Sequence, residues 1–136
     1  MKTFILALVA LSSLSTFGAG VNKLIIQNDT NRNIVCAFTQ YDAPANKWIT
    51  YSWFLINNGQ VGNFTNVSYY RCEEVETNGN GVTWGNTRNF CVVRGNKFVN
   101  PYHRSENFQL CQNFGGEWRG FDQLPNQTNY TLYLNP

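Results

Sequence analysis

Short apolar and aromatic segments, separated by polar turns, recur along most of the chain. Helical spacing of apolar residues is not sustained, whereas runs rich in Val, Ile, Thr, Tyr, Phe and Trp alternate with clusters of Asn, Gly, Asp and Pro. This pattern predicts an all-β domain, a small antiparallel β-sandwich or barrel with at most one short helix. The predicted strands are Lys23–Gln27, Asn33–Tyr41, Lys47–Ile56, Gln60–Asn63, Val67–Glu76, Thr83–Trp84, Phe90–Val93, Lys97–Val99 and Tyr130–Leu134.

The segments between the strands contain turn residues and one candidate helix. Asn57–Gly59 and Asn78–Gly81 supply side chains that tolerate positive φ, as tight hairpins require. Asp29–Asn31 is expected to join the first two strands. The candidate helix is Ser105–Cys111, with Ser105 as its N-cap.

The first twenty residues form a segment of their own. Lys2 precedes an apolar run, Phe4–Leu11, and small residues follow, which is the layout of a secretory signal peptide. The run is too short to span a bilayer. Small side chains favour cleavage after Gly18 or Gly20. An uncleaved anchor or a buried helix is the alternative.

Removal of residues 1–20 leaves about 116 residues, 21–136, which is enough for one domain with one core. The formal charge falls from +2 to +1 with the loss of Lys2, and the remaining charges are scattered. Nucleic acid and anionic membrane surfaces need clustered Lys and Arg, so neither is predicted as a partner. The expected location is secreted or extracellular, or periplasmic if the host is bacterial.

Four cysteines remain in the mature chain, Cys36, Cys72, Cys91 and Cys111. An even number in an exported chain predicts two disulfides, for which three pairings are possible. A zinc site is not expected, because no pair has the C-x2-4-C spacing and His103 is the only histidine. No other metal and no cofactor is predicted.

Asparagine is frequent, and five N-x-S/T sequons occur, at Asn28, Asn63, Asn66, Asn126 and Asn129. They predict a glycosylated surface if the host is eukaryotic. An AT-rich genome, which inflates asparagine usage, is the alternative explanation.

Candidate catalytic groups are few. The sequence contains no G-x-S-x-G, H-E-x-x-H or Gly-rich phosphate loop, and His103 lies in a polar stretch typical of a loop. Glu74 and Glu76, two apart on a predicted strand, would stand about 6.5–7 Å apart on one face, as a paired-carboxylate hydrolase requires. The competing interpretation is a solvated strand face that pairs with Arg71 or Arg88.

Aromatic side chains are the other resource for binding. Flat rings stack on sugars, and the same rings also fill small β cores. Trp84 precedes Gly85, and Trp118 lies two residues from both Gly116 and Gly120. We therefore predict a ligand surface centred on Trp84 and Trp118, with Arg88 and Arg119 as hydrogen-bond donors; core or edge packing is the alternative. The sequence therefore predicts a non-enzymatic recognition or structural module for an extracellular protein or glycan, with a small secreted hydrolase as the alternative.

The order of these landmarks resembles the bacterial Domain of Unknown Function 1036 family. The matching phrases are KLIIQNDTNRNIVCAF, WITYSWFLINNGQ, SYYRCEEVE, GVTWGN, NFCV and LCQNFGGEWRGFDQL, which together extend from Lys23 to Leu124. The resemblance implies a shared bridge between Cys91 and Cys111, which leaves Cys36 to pair with Cys72. Its motifs are structural, so it implies a fold and no activity.

Overall fold

The computed structural model describes residues 20–94 and 101–136, and within them the chain forms ten strands and one short helix. The strands are β1 Val21–Asn28, β2 Ile34–Asp42, β3 Lys47–Ile56, β4 Val61–Val67, β5 Tyr69–Glu74, β6 Thr83–Trp84, β7 Arg88–Val92, β8 Tyr102–His103, β9 Glu117–Gln123 and β10 Gln127–Leu134. The helix, α1, is Phe108–Asn113. The predicted all-β fold is confirmed.

The strands form two sheets. The smaller has the order β10-β1-β4, in which β1 pairs parallel with β10 and antiparallel with β4. The larger is a curled sheet of order β7-β9-β5-β2-β3-β8. The short strand β6 also pairs with β5, outside this order. All of its pairings are antiparallel.

Two apolar clusters lie on opposite faces of β2, because successive side chains of a strand point to opposite sides. The inter-sheet core packs the two sheets together and consists of Val21, Leu24, Ile26, Ile34, Cys36, Phe38, Ile56, Val67, Tyr70, Cys72, Leu124 and Leu134. The second cluster consists of Ala37, Trp48, Phe90, Val92 and Phe121. Burial on both faces explains the continuous apolar run that opens β2.

Both predicted disulfides are present. Cys36 and Cys72 occupy directly opposite positions on β2 and β5, and their bridge lies inside the inter-sheet core. Cys91 and Cys111 join β7 to α1. Each bridge stabilises the fold by about 3 kcal/mol, chiefly by restricting the unfolded chain.

Several predicted boundaries are wrong. The strand expected at Gln60–Asn63 continues to Val67, and the strand expected at Val67–Glu76 ends at Glu74. The prediction missed β8 and β9, while Lys97–Val99 lies outside the described residues. Gly59, Asn78 and Gly79 all have positive φ, as predicted for the two turns. The turn at Asn78–Gly81 joins the paired strands β5 and β6, whereas the turn at Asn57–Gly59 joins β3 to β4 in the other sheet and is not a hairpin.

The helix begins later than predicted. Asn107, not Ser105, is the N-cap, and its side chain accepts a hydrogen bond from the backbone N–H of Leu110. Ser105 is fully buried, where its backbone N–H donates to Trp48 and its carbonyl accepts from Cys91. It therefore joins the loop to β3 and β7 and does not cap α1.

Candidate functional site

A cleft opens between α1 and the short strand β8. It has a volume of about 390 Å³ and is lined by Ser52, Val93, Pro101, Tyr102, His103, Leu110 and Phe114. We call the part formed by Tyr102, His103, Leu110 and Phe114 the aromatic cleft. Its size falls within the range of small-ligand sites.

Tertiary contacts hold the two walls of the aromatic cleft. β8 is held against β3 through the pairs Ile49 with His103 and Thr50 with Tyr102. The other wall, α1, has six residues, too few for a helix to persist alone in water. The Cys91–Cys111 bridge fixes it to the sheet.

Helical spacing places Leu110 and Phe114 on the cleft. Residues four apart lie on one side of a helix, and both line this opening while Cys111 points into the protein. Phe114 is the most exposed of the large apolar side chains in the described part of the chain, at 72%. An exposed phenylalanine beside a cleft leaves apolar area in water that a ligand would cover.

Two pairs of rings flank α1. Tyr102 meets Phe114 edge to face, with ring centroids 6.1 Å apart, and Phe108 meets Trp118 in the same way at 5.3 Å. Burial raises the pKa of the Tyr102 phenol above its ordinary value. The aromatic cleft thus combines ring faces with polar groups.

Each of the four residues predicted to bind ligand makes contacts within the fold. Trp84 is half-buried, lies opposite Cys72 and packs against the inter-sheet core. Trp118, also half-buried, lies opposite Cys91 and packs on Phe108 of α1. Only Trp118 borders the helix that forms the aromatic cleft.

The glycines beside the predicted tryptophans serve internal packing. Gly85 and Gly120 lie in close backbone contact, and both carbonyls accept hydrogen bonds from Nη1 of Arg71 at 3.1 Å. We expected these glycines to leave each tryptophan ring open to a flat partner. Their role in the structure is instead to allow close packing of the backbone.

The two predicted arginines are engaged with the protein itself. The Arg88 guanidinium lies over the rings of Trp48, Tyr69 and Phe90, at 4.8, 5.4 and 4.9 Å from their centroids. Arg119 pairs with Glu117. Neither arginine lines the aromatic cleft.

A chain of ion pairs, which we call the arginine–glutamate network, links three segments of the larger sheet. Glu73, 1% exposed, accepts from Arg71 at 3.0 Å and from Arg94, and Arg94 also pairs with Glu117. Burial by itself would lower the pKa of the Arg94 guanidinium, but its bonds and charge interactions with Glu73 and Glu117 raise it. The network holds β5, the segment after β7, and β9 together.

The carboxylate pair predicted for a hydrolase is not formed. Glu74 ends β5, whereas Glu76 lies in the following turn with φ of 67°, so the two do not share a strand face. Glu74 instead pairs with Arg32 at 3.6 Å, and neither Arg71 nor Arg88 is its partner. The geometry on which the hydrolase hypothesis depends is therefore absent.

Asn28 is unlike the other four sequon asparagines. It is fully buried, and its Nδ2 donates to the carbonyls of Arg32 and Ile56 at 2.8 and 2.9 Å. Its Oδ1 accepts from the backbone N–H and hydroxyl of Thr30, so the side chain builds the turn between β1 and β2. The folded domain has no room for a glycan there, and the prediction of glycosylation at Asn28 is wrong. The other four asparagines are exposed.

Residues 20–94 and 101–136 contain no group of three or more His, Cys, Asp or Glu side chains placed to hold a metal ion. No helix in the same residues is long and apolar enough to cross a membrane. Comparisons of this chain with protein families, with curated proteins and with solved structures found no match.

The aromatic cleft was missed at the level of sequence. Leu110 and Phe114 are four residues apart, a spacing that would have marked a second apolar face on the short helix. The predicted helix, Ser105–Cys111, ended three residues before Phe114. The pairing of β8 with β3, which supplies the other wall, has no local signal in a two-residue strand.

Proposed function

We propose that this chain is an exported, non-enzymatic recognition module that binds a glycan in the aromatic cleft. The observation that carries the proposal is Phe114, a large apolar ring left 72% exposed at the mouth of a cleft of ligand size. Covering apolar surface is favourable by roughly 25 cal/mol per Å², so a ligand that stacks on this ring gains free energy.

The surroundings of Phe114 favour a saccharide over a wholly apolar ligand. Sugars present an apolar ring face and a rim of hydroxyls, which match an aromatic ring next to polar groups. Tyr102 and His103 supply such groups on the wall formed by β8.

Export is the second part of the proposal. Two buried disulfides are typical of oxidising compartments outside the cytosol. The amino-terminal residues provide the signal peptide, and the four exposed sequons provide glycosylation sites in a eukaryotic host. We favour cleavage after Gly18, because Gly20 accepts a hydrogen bond from Gln127 and the following Val21 is buried.

A glycan array probed with the purified mature protein tests the recognition function. Phe114→Ala should lower the affinity for a bound glycan by about 1–3 kcal/mol, as for a central contact residue, while stability changes by less than about 0.5 kcal/mol. Leu55→Ala is the matched control, because Leu55 is 59% exposed on β3 and does not line the cleft. Equal binding by Phe114→Ala and wild type would overturn the proposal.

A further inference from the structure

The outer face of the three-stranded sheet carries an apolar patch. Ile25, Val61 and Tyr133 are 38%, 50% and 55% exposed. Gln27 pairs with both Val61 and Tyr133, and Ile25 lies two residues before it, so all three side chains share this face. Strands β4 and β10 are the outer strands of this sheet. Exposed apolar side chains on the face of such a sheet promote association with other chains.

Two sequon asparagines lie on the same face. Asn63 pairs with Ile25, and Asn129 pairs with Lys23, two residues earlier on the central strand. Both asparagines are exposed and line one shallow depression of about 310 Å³ that runs across β4, β1 and β10. The sheet therefore places two possible attachment points on either side of β1, next to the apolar patch.

We propose that N-linked glycans on Asn63 and Asn129 cover this face. A glycan is bulky and hydrophilic, and it would shield the patch from solvent and from a second chain. The inference rests on the proposed export in a eukaryotic host, since only an exported chain meets the glycosylation machinery there. Asn126 lies outside the strand pairing, just before β10 begins, and so offers a comparison site of the same sequence type.

The modification joins the asparagine amide to a sugar. Nδ2 attacks the anomeric carbon of an oligosaccharide carried on a lipid pyrophosphate, a new C–N bond forms, and the anomeric C–O bond breaks. The lipid pyrophosphate leaves and the amide loses one proton to a base of the transferase. No oxidant or reductant is needed.

Peptide mapping of protein secreted from a eukaryotic cell line gives the first test. Removal of glycans in ¹⁸O-water should convert Asn63 and Asn129 to labelled aspartate, with Asn28 unlabelled. Secreted protein that is labelled at Asn126 but not at Asn63 or Asn129 would refute this inference and leave export standing. A chain that stays inside the cell with Met1 attached would refute both.

Sedimentation of the folded protein gives the second test. Enzymatic removal of the glycans at native pH should shift the monomer towards dimers or larger species as the concentration rises. The double variant Thr65→Ala with Thr131→Ala, which destroys both sequons, should behave in the same way. Thr128→Ala, which destroys only the Asn126 sequon, should stay monomeric. A deglycosylated protein that remains monomeric over the same concentrations would overturn the proposal.

Discussion

At the scale of single residues, the arginine–glutamate network places a buried carboxylate between two arginines. A buried carboxylate must be paired, because the transfer of a lone charge from water into the protein is strongly unfavourable. Glu73 meets this condition with Arg71 and Arg94, and Arg71 also bonds the carbonyls of Gly85 and Gly120. The buried carboxylate of Glu73 thus holds two arginines that bind neighbouring segments of the sheet.

Replacement of Glu73 by Gln should destabilise the domain strongly. The change leaves two arginines beside an uncharged group, and loss of one member of a buried ion pair typically costs about 3–5 kcal/mol. Urea unfolding at neutral pH measures the change. Glu76→Gln is the matched control, since this exposed glutamate in the following turn should change stability by less than about 0.5 kcal/mol.

Tyr70 gives the fold a dependence on alkaline pH. Burial, together with the charge of Asp122 and the nearby Tyr130, raises the pKa of its phenol to about 12. In the unfolded chain the phenol ionises near its ordinary pKa of 10, so between these values the unfolded state binds fewer protons and becomes favoured. This stabilisation is complete below pH 10 and is lost as the pH rises through 12.

Ionisation of Tyr70 should therefore lower the free energy of unfolding by an amount on the order of 2–3 kcal/mol between pH 8 and pH 12. Tyr70→Phe, which cannot ionise, should remove that part of the decline. An unchanged alkaline decline in Tyr70→Phe would show that Tyr70 is not its source.

At the scale of elements, Gly85 allows close backbone contact between the loop after β6 and β9. A Cβ atom on Gly85 would lie 2.8 Å from the carbonyl oxygen of Gly120 and 3.0 Å from that of Tyr70. Its φ of 118° is also one that other residues rarely adopt. The glycine therefore lets the loop after β6 lie directly against β9.

Gly85→Ala should cost more than Gly59→Ala. Both positions have positive φ, which penalises alanine by about 1–2 kcal/mol. Only Gly85 is crowded, whereas a Cβ on Gly59 meets nothing within 4 Å. The crowding should add about 1–3 kcal/mol, as for other overpacked sites. Thermal or urea unfolding of the two variants measures the difference, and equal costs would contradict the close contact.

At the scale of the whole molecule, local pattern predicted β1 to β7 and β10, with shifted bounds for most of them, and missed β8 and β9. The apolar and aromatic runs marked β1, β2 and β3, which together supply Leu24, Ile26, Ile34, Cys36, Phe38 and Ile56 to the inter-sheet core. The pattern missed β9, because EWRGFDQ mixes charges with a central glycine that the fold needs for close packing. The parallel pairing of β1 with β10 joins the two ends of the domain and has no local signal. The resemblance to the Domain of Unknown Function 1036 family stays a prediction.

The site was less predictable than the fold. Trp84 and Trp118 are prominent in sequence, yet their exposure depends on what packs over each ring. The aromatic cleft needs β8, α1 and the bridge at Cys111 to meet, and it depends on contacts between distant parts of the chain. Periodicity within one segment cannot supply such contacts.

The mature amino terminus follows from the fold as a whole. Cleavage after Gly20 would place a charged terminus on Val21, which is 1% exposed, and would remove the carbonyl that bonds Gln127. Intact-mass measurement of secreted protein should show a chain that begins at Ala19. A chain that begins at Val21 would contradict this account.

The central claim is that the aromatic cleft recognises a glycan, and amide NMR shifts test it most directly. Titration of ¹⁵N-labelled mature protein with the strongest glycan from the array should shift amides at Tyr102, His103, Leu110 and Phe114 in a saturable manner. Phe114→Ala should weaken these shifts, whereas Leu55→Ala should leave them unchanged. Shifts centred on Trp84, or no saturable shift with any array glycan, would contradict the claim.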